Sequence, residues 1–223
     1  MAIIEAVAQP YKDSSVRKLV GSVLQAGGIA NLDVAAAYVT TGGVRDLLRT
    51  VQLALAGQNQ SVKKRWLVAF DYCRSEPLAL DMLLKAPSSL VRIHDANVLL
   101  RQHCIPSRPF HPKTFIFTGP SRKAVFCGSG NISRSGLNTG HEVGLLLDSQ
   151  SALGDAHARG KISVLGKWYE KMWAEATILS PHIASKYKEI YESTPNLNHP
   201  TPTDDDELGK LDLGNNALTP LDL

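Results

Sequence analysis

Residues 110–147 read FHPKTFIFTGPSRKAVFCGSGNISRSGLNTGHEVGLLL. Residues 113–117 alternate as a strand does, Gly119-Pro120-Ser121 supplies a turn, and residues 123–127 return as a second strand. This pattern predicts a β-hairpin. Residues 128–139, rich in Gly, Ser and Asn, predict a loop or short helix, and residues 142–147 predict a further strand. Three groups fall at the ends of these strands: His111-Pro112-Lys113, Gly128-Ser129-Gly130-Asn131 and His141-Glu142. His111 and Lys113 are two apart, so a strand would turn both to one face. One sheet edge would then present an imidazole, an ammonium, a carboxamide and the backbone amides of a Gly-rich turn. Such a set suits phosphoryl transfer. Histidine can attack phosphorus, and lysine and asparagine can stabilise charge on the nonbridging oxygens. A glutamate on the other ring nitrogen would hold the histidine tautomer. Each piece alone is more often structural; their order along adjoining strand ends is what gives them weight.

Upstream, residues 11–26 carry Val16, Leu19, Val20, Val23 and Leu24 at helical spacing, with Asp13 or Ser14 as cap and Gly27-Gly28 as stop. Residues 29–39 predict a buried strand. Thr40-Thr41-Gly42-Gly43 predicts a turn before a helix over 43–55. Residues 58–64 predict a polar loop, 66–70 a strand, 76–84 a helix with Pro77 in its first turn, and 91–94 a short strand. Residues 96–110, holding Pro106 and Pro109, predict irregular structure. Lys63-Lys64-Arg65 reads as a solvated loop rather than a phosphate contact. Downstream, residues 151–176 predict a helix broken near Gly160, with Val164, Trp168, Met172 and Trp173 toward the core. Trp168, Tyr169 and Trp173 fit core or dimer packing better than base stacking. The succession predicts an α/β sandwich with a mixed central sheet flanked by helices. It forms one domain over 1–180, followed by a helical extension over 181–194 and an acidic Pro/Asn/Asp-rich flexible tail or linker over 195–223. No internal repeat is present.

A chain of 223 residues that is 43% hydrophobic can build a core, which excludes wholesale disorder. No apolar run approaches the ~18 residues of a membrane helix, and the start lacks a signal-peptide pattern. Cys73, Cys104 and Cys127 are odd in number and widely spaced, as expected of reduced thiols in the cytoplasm, with no metal-ligand spacing. Residues 195–223 hold six acids against Lys210, a balance of −5, which leaves 23 cations and 15 anions, or +8, in the first 194. A body at +8 suits a polyanion partner such as nucleic acid, and equally serves ordinary solubility.

The hairpin segment resembles the signature of the phospholipase-D-like phosphodiesterases: H-x-K, a hairpin, then G-S-x-N. The continuation Asn131-Ile132-Ser133-Arg134-Ser135-Gly136-Leu137-Asn138, followed by Glu142, resembles the nuclease branch more than the lipid branch. Within that branch it is most similar to the catalytic domain of metal-independent restriction endonucleases. The weaker pattern Ala36-Ala37-Tyr38-Val39-Thr40, with Gly42 or Gly43 before a helix, extends the likeness toward the first half. The resemblance implies that His111 is the nucleophile, forming a covalent phosphohistidine. It places Lys113 and Asn131 on the scissile phosphate, gives Ser129 a further hydrogen bond and makes Glu142 the residue that orients His111. Gly130 belongs to the same phosphate-binding turn, Arg134 is a candidate for a further phosphate contact, and His141 for a substrate contact. The family's aspartate five residues after the lysine is Thr118 here, a departure from the lipase-type motif.

No metal and no cofactor is implied, and nothing offers the carboxylate cluster of a two-metal nuclease. Two copies of the motif usually face each other in this family, whereas this chain has one. That implies a homodimer with a composite site on the two-fold axis, where one His111 attacks and the other acts as acid. DNA is the expected partner, in restriction or defence; either recognition lies in a separate domain or partner subunit, or the nuclease is nonspecific. The other readings are a phospholipid or small-phosphodiester hydrolase and a non-catalytic nucleic-acid-binding subunit of a larger complex. The acidic tail is expected to lie across the basic groove.

Overall fold

The hairpin becomes the centre of an eight-stranded sheet in the computed structural model, which describes residues 2–11, 14–58, 61–149 and 156–194. The elements are β1 (Ala2–Gln9), α1 (Val16–Gln25), β2 (Asn31–Ala36), α2 (Thr41–Leu55), β3 (Lys63–Val68), α3 (Pro77–Lys85), β4 (Ser89–Ile93), α4 (Ala96–Arg101), β5 (Lys113–Thr118), β6 (Lys123–Gly128), β7 (Glu142–Ser149), α5 (Ala156–Glu175), β8 (Thr177–Ile178) and α6 (Pro181–Ser193). The strand order is β1-β7-β6-β5-β2-β3-β4-β8. Strands β2, β3 and β4 run parallel and the other pairings are antiparallel, which is the mixed sheet predicted.

Alternation along the strands divides the core in two. Val34, Trp66, Val68, Phe115, Phe117 and Phe126 point to one side, where α1, α2 and α3 bury them. Ala35, Leu67, Ile116 and Val125 point to the other and meet Ile162, Tyr169 and Trp173 of α5. Each fully buried aromatic or Leu side chain contributes roughly 1.5–3 kcal/mol. The helix α6 joins the first layer by stacking Tyr187 on Phe70, ring centroids 3.7 Å apart.

Several local expectations change. Strand β1 was not foreseen. It is an edge strand that buries only Val7 and Gln9, so its sequence shows little period. Ser15, not Ser14, caps α1 by accepting from Lys18 N at 3.2 Å; Asp13 lies outside the described residues. Thr40 caps α2, so Thr41-Gly42-Gly43 is its first turn and not a turn before it. A Cβ on Gly43 would sit 2.3 Å from the Ile132 carbonyl oxygen, so only glycine lets α2 begin against that loop. Lys63-Lys64-Arg65 is strand, not loop: Arg65 faces Asp33 across the parallel β2–β3 register and is bonded to it. Residues 96–101 form α4 where irregular structure was expected. Helix α5 runs unbroken through Gly160, and Val164 is 63% exposed while Ile162 and Tyr169 take the core. The predicted helical start over 151–155 and the tail over 195–223 lie outside the described residues. All three cysteines are free thiols, and among the described residues no helix is long and apolar enough to cross a membrane.

Arg122, in the hairpin turn, fixes that turn to the rest of the fold. Its Nε donates to Asp148 Oδ1 at 3.0 Å, Nη2 donates to Oδ2, and Nη1 donates to the Val23 and Gly27 carbonyls. Both side chains are nearly inaccessible. Asp148→Ala would leave the guanidinium charge buried without its partner, so a loss of about 3 kcal/mol is expected, read as a lower midpoint in urea denaturation.

Candidate active site

The strand directions bring one end of five strands to the same pole of the sheet. Ala36 at the end of β2 pairs with Lys113 at the start of β5, Cys127 near the end of β6 pairs with Thr114, and Gly128 pairs with Gly144 near the start of β7. His111, Lys113, Ser129, Asn131 and Glu142 therefore share one rim. The segment holding Arg74, which follows β3, reaches it too.

His111 stands just before β5 and is exposed, whereas Lys113 opens the strand and is buried. The Lys113 ammonium curls back along the imidazole edge, 2.9 Å from Nδ1 and 3.2 Å from Nε2, and donates to the His111 carbonyl at 3.1 Å. Partial desolvation of the ring at the rim foremost, then the Lys113 and Arg74 charges, hold the His111 pKa below its ordinary value. Burial likewise lowers the Lys113 pKa, with Glu142 opposing and Arg74 reinforcing the shift. These shifts favour the neutral imidazole, whose acceptor nitrogen lies within reach of the Lys113 ammonium.

Asn131 is buried, and its Oδ1 accepts from Tyr38 N at 3.4 Å. A parallel bridge joins Val39 to Ile132, and Thr40 N donates to the Ile132 carbonyl at 2.9 Å. With its oxygen committed to the backbone, the carboxamide has its NH2 group to offer an anion. Gly130 packs so closely that a Cβ would lie 2.3 Å from the Gly136 carbonyl oxygen.

Glu142 differs from expectation. Its carboxylate accepts the Ser129 hydroxyl rather than the His111 ring, and Ser129 Oγ in turn accepts from Val143 N at 3.0 Å. The side chain lying against the imidazole is Lys113. Arg134 is half-buried, with Nε 3.7 Å from Asp46 Oδ2, so it leans onto α2. His141 is exposed at the head of β7. Among the described residues no three His, Cys, Asp or Glu side chains gather as a metal-binding group.

Arg74 was missed. It follows the short helical turn Asp71–Cys73 beyond β3, is exposed, and lies 6.0 Å over the Tyr38 ring. Its charge acts on both His111 and Lys113. A cation beside an imidazole opposes protonation, so Arg74→Gln is expected to raise the His111 pKa, and Arg74→Lys to leave it nearly unchanged. NMR titration of the His111 ring protons measures this directly; a fall in the glutamine variant contradicts the assignment. An open cleft of about 860 Å³ leads away from His111 on the α5 side, lined in part by His94, Arg108, Phe110, Trp168 and Lys171.

No family model and no curated protein matches the chain. Among solved structures, NucT from Helicobacter pylori superposes with a TM-score of 0.55 at 17% identity, over 80% of this chain and 100% of that one. The phosphatidylserine synthase of Haemophilus influenzae Rd KW20 is similar with a TM-score of 0.48 at 10% identity, over 86% of this chain and 46% of that one. For the yeast tyrosyl-DNA phosphodiesterase the values are 0.39 and 15%, over 86% and 41%. At 17% identity the likeness to NucT is one of fold. Taken with the mixed sheet and its helical layers, that likeness gives this chain the phospholipase-D-like fold.

Proposed function

We propose that two copies of this chain form a metal-independent phosphodiesterase that cuts DNA, in restriction or defence against foreign DNA. The observation that carries this reading is the Lys113 ammonium against a neutral-leaning His111 ring, beside buried Asn131, on an open rim. His111 attacks phosphorus. A P–N bond forms as the ester P–O bond breaks, and the leaving oxygen takes a proton from His111 of the partner subunit. That second imidazole, now neutral, takes a proton from water; the hydroxide breaks the P–N bond and releases the phosphate. Lys113, Asn131 and Arg74 face the charge that develops on the phosphoryl oxygens. Ser129 and the Gly130 backbone extend the phosphate cradle, with Glu142 positioning Ser129. Arg134 and His141 contact the strand beyond it. Arg108 and Lys171 along the cleft, and the +8 body, favour a polyanion.

The partner face proposed is the strip of β1 and β7 that α5 leaves bare. Ala6 pairs with Leu145 and Ala8 with Val143, and these residues share a face opposite the buried Val7 and Leu146. Ile4, Leu145 and Val143 are 73%, 59% and 65% exposed. The Val143 end of the strip adjoins Glu142, so a two-fold axis through that end would set the two rims close together. The same apolar strip is what favours the second reading, a phospholipid hydrolase docking on a bilayer. Assay in EDTA on plasmid and single-stranded DNA, with phospholipid vesicles alongside, separates the readings. DNA cleavage by the wild type is expected. Hydrolysis of lipid alone supports the second reading, and a folded dimer that binds DNA without cutting it is a binding subunit.

A further inference from the structure

We propose a second ligand site, for a phosphate-bearing small molecule of nucleotide size, at the pole of the sheet opposite His111. A cleft of about 990 Å³ opens there between α5 and the first residues of β2, β3 and β4. Asn31 at its outer end lies five strand steps from Ala36 at the catalytic rim, about 17 Å at the usual rise, and its inner floor at Ile116 lies three steps from Lys113. Lys63 of β3, Lys123 of β6 and Lys167 of α5 line it from three separate elements. Among the described residues none of these three ammonium groups is paired with a carboxylate. The two acids of the cleft, Asp33 and Glu170, are both held by one cation: Arg65 grips Asp33 at 2.6 and 2.7 Å and also bonds Glu170. On the α5 face the lining holds Lys63, Arg65, Lys123 and Lys167 against these two acids, an excess of two positive charges.

Lys64 lies at the edge of the cleft, on the strand face opposite Lys63 and Arg65. Its side chain is more than nine-tenths buried, its Nζ donates to the Val62 carbonyl at 3.0 Å, and burial lowers its pKa. An anion in the cleft would meet the positive charge of Lys63, Lys123 and Lys167.

The cleft also has an apolar side. Ile116 and Ile162 form its buried floor, and Leu90, 62% exposed, flanks it. A Cβ built on Gly166 would touch nothing, so α5 shows the cleft backbone where a side chain would otherwise fill space. Lysines suit phosphate as point charges, and an apolar floor suits a flat ring. Convergence of the cations on one cavity favours a small ligand over a nucleic-acid strand. The site lies apart from the catalytic rim and stands whether or not the chain cuts DNA.

Titration calorimetry with ATP, AMP and inorganic phosphate tests the site. It compares the wild type, Lys63→Gln/Lys123→Gln/Lys167→Gln, Gly166→Phe and His111→Ala, each shown to be folded by its thermal melt. ATP and AMP are expected to bind more tightly than inorganic phosphate. Both cleft variants should weaken ATP by about tenfold or more, one by removing charge and the other by filling space, while His111→Ala binds as the wild type does. Absence of binding at millimolar nucleotide overturns the proposal. So does loss of binding in His111→Ala, which would place the nucleotide at the catalytic rim. Loss in the lysine variant with Gly166→Phe unaffected also overturns it, since surface charge alone would then account for the binding.

Discussion

Replacing His111 by alanine is expected to lower DNA phosphodiester cleavage in EDTA by about 10⁴-fold or more, with the fold intact. The size of the effect follows from the composite site. In the proposed dimer one substitution would remove the nucleophile and the general acid together, because both roles would fall to His111. The general acid alone is worth roughly 10²–10⁴-fold. Losses within one catalytic unit do not add, so the removal of both sets a lower bound rather than a product. The fold is expected to tolerate the change because the ring is exposed and stands outside β5. Exposed substitutions of this kind shift stability within about 0.5 kcal/mol. Two measurements check the point. Steady-state rates give the loss, and rapid quenching with phosphorus-labelled DNA tests for an adduct on the wild type that is labile to acid and stable to alkali. A variant that still cuts at the wild-type rate, or a wild type that never acquires label while turning over, removes His111 from the role of nucleophile.

How much of this site can be read from the chain depends on how far each contact reaches. His111 and Lys113 are two residues apart, so local strand geometry places them together without knowledge of the fold. Ser129 and Asn131 follow from the hairpin, whose turn is also local. Glu142 is different. Its position on the rim is legible, but its partner is not, because the Ser129 hydroxyl and the His111 ring compete for one carboxylate and only the backbone path decides between them. Arg74 is invisible in the sequence. It reaches the rim only because β3 lies parallel to β2 and β2 antiparallel to β5, and no motif carries that information. Arg65 misleads for a related reason. A run of three cations looks solvated until the register sets Asp33, 32 residues away in the chain, directly across from it. Strand β1 escapes notice because an edge strand with one bare face has no need of regular alternation. Gly160 misleads in the other direction, for a helix held by Ile162, Tyr169 and Trp173 carries one weak residue without breaking.

The bare strip on β1 and β7 sets the second large effect. Leu145→Asp is expected to convert a dimer to a monomer and to lower cleavage by about 10³-fold, the loss of a general acid supplied from across the interface. In the isolated subunit Leu145 is 59% exposed, so the aspartate meets water and the fold survives. In the dimer the same carboxylate would face Ile4 and Val143 of a second strip, with no cation to pair, and burying an unpaired charge costs several kcal/mol. Leu53→Asp serves as the control, since Leu53 is equally exposed, at 66%, but sits on α2 in the opposite layer. It should leave both mass and rate unchanged. Light scattering gives the mass and the EDTA assay gives the rate. A dimeric and active Leu145→Asp places the interface elsewhere, and a monomeric but fully active one shows that a single rim carries its own acid. Among the described residues the candidates for that acid would then be the other ionisable groups on the rim, with His141 at the head of β7 the first to test.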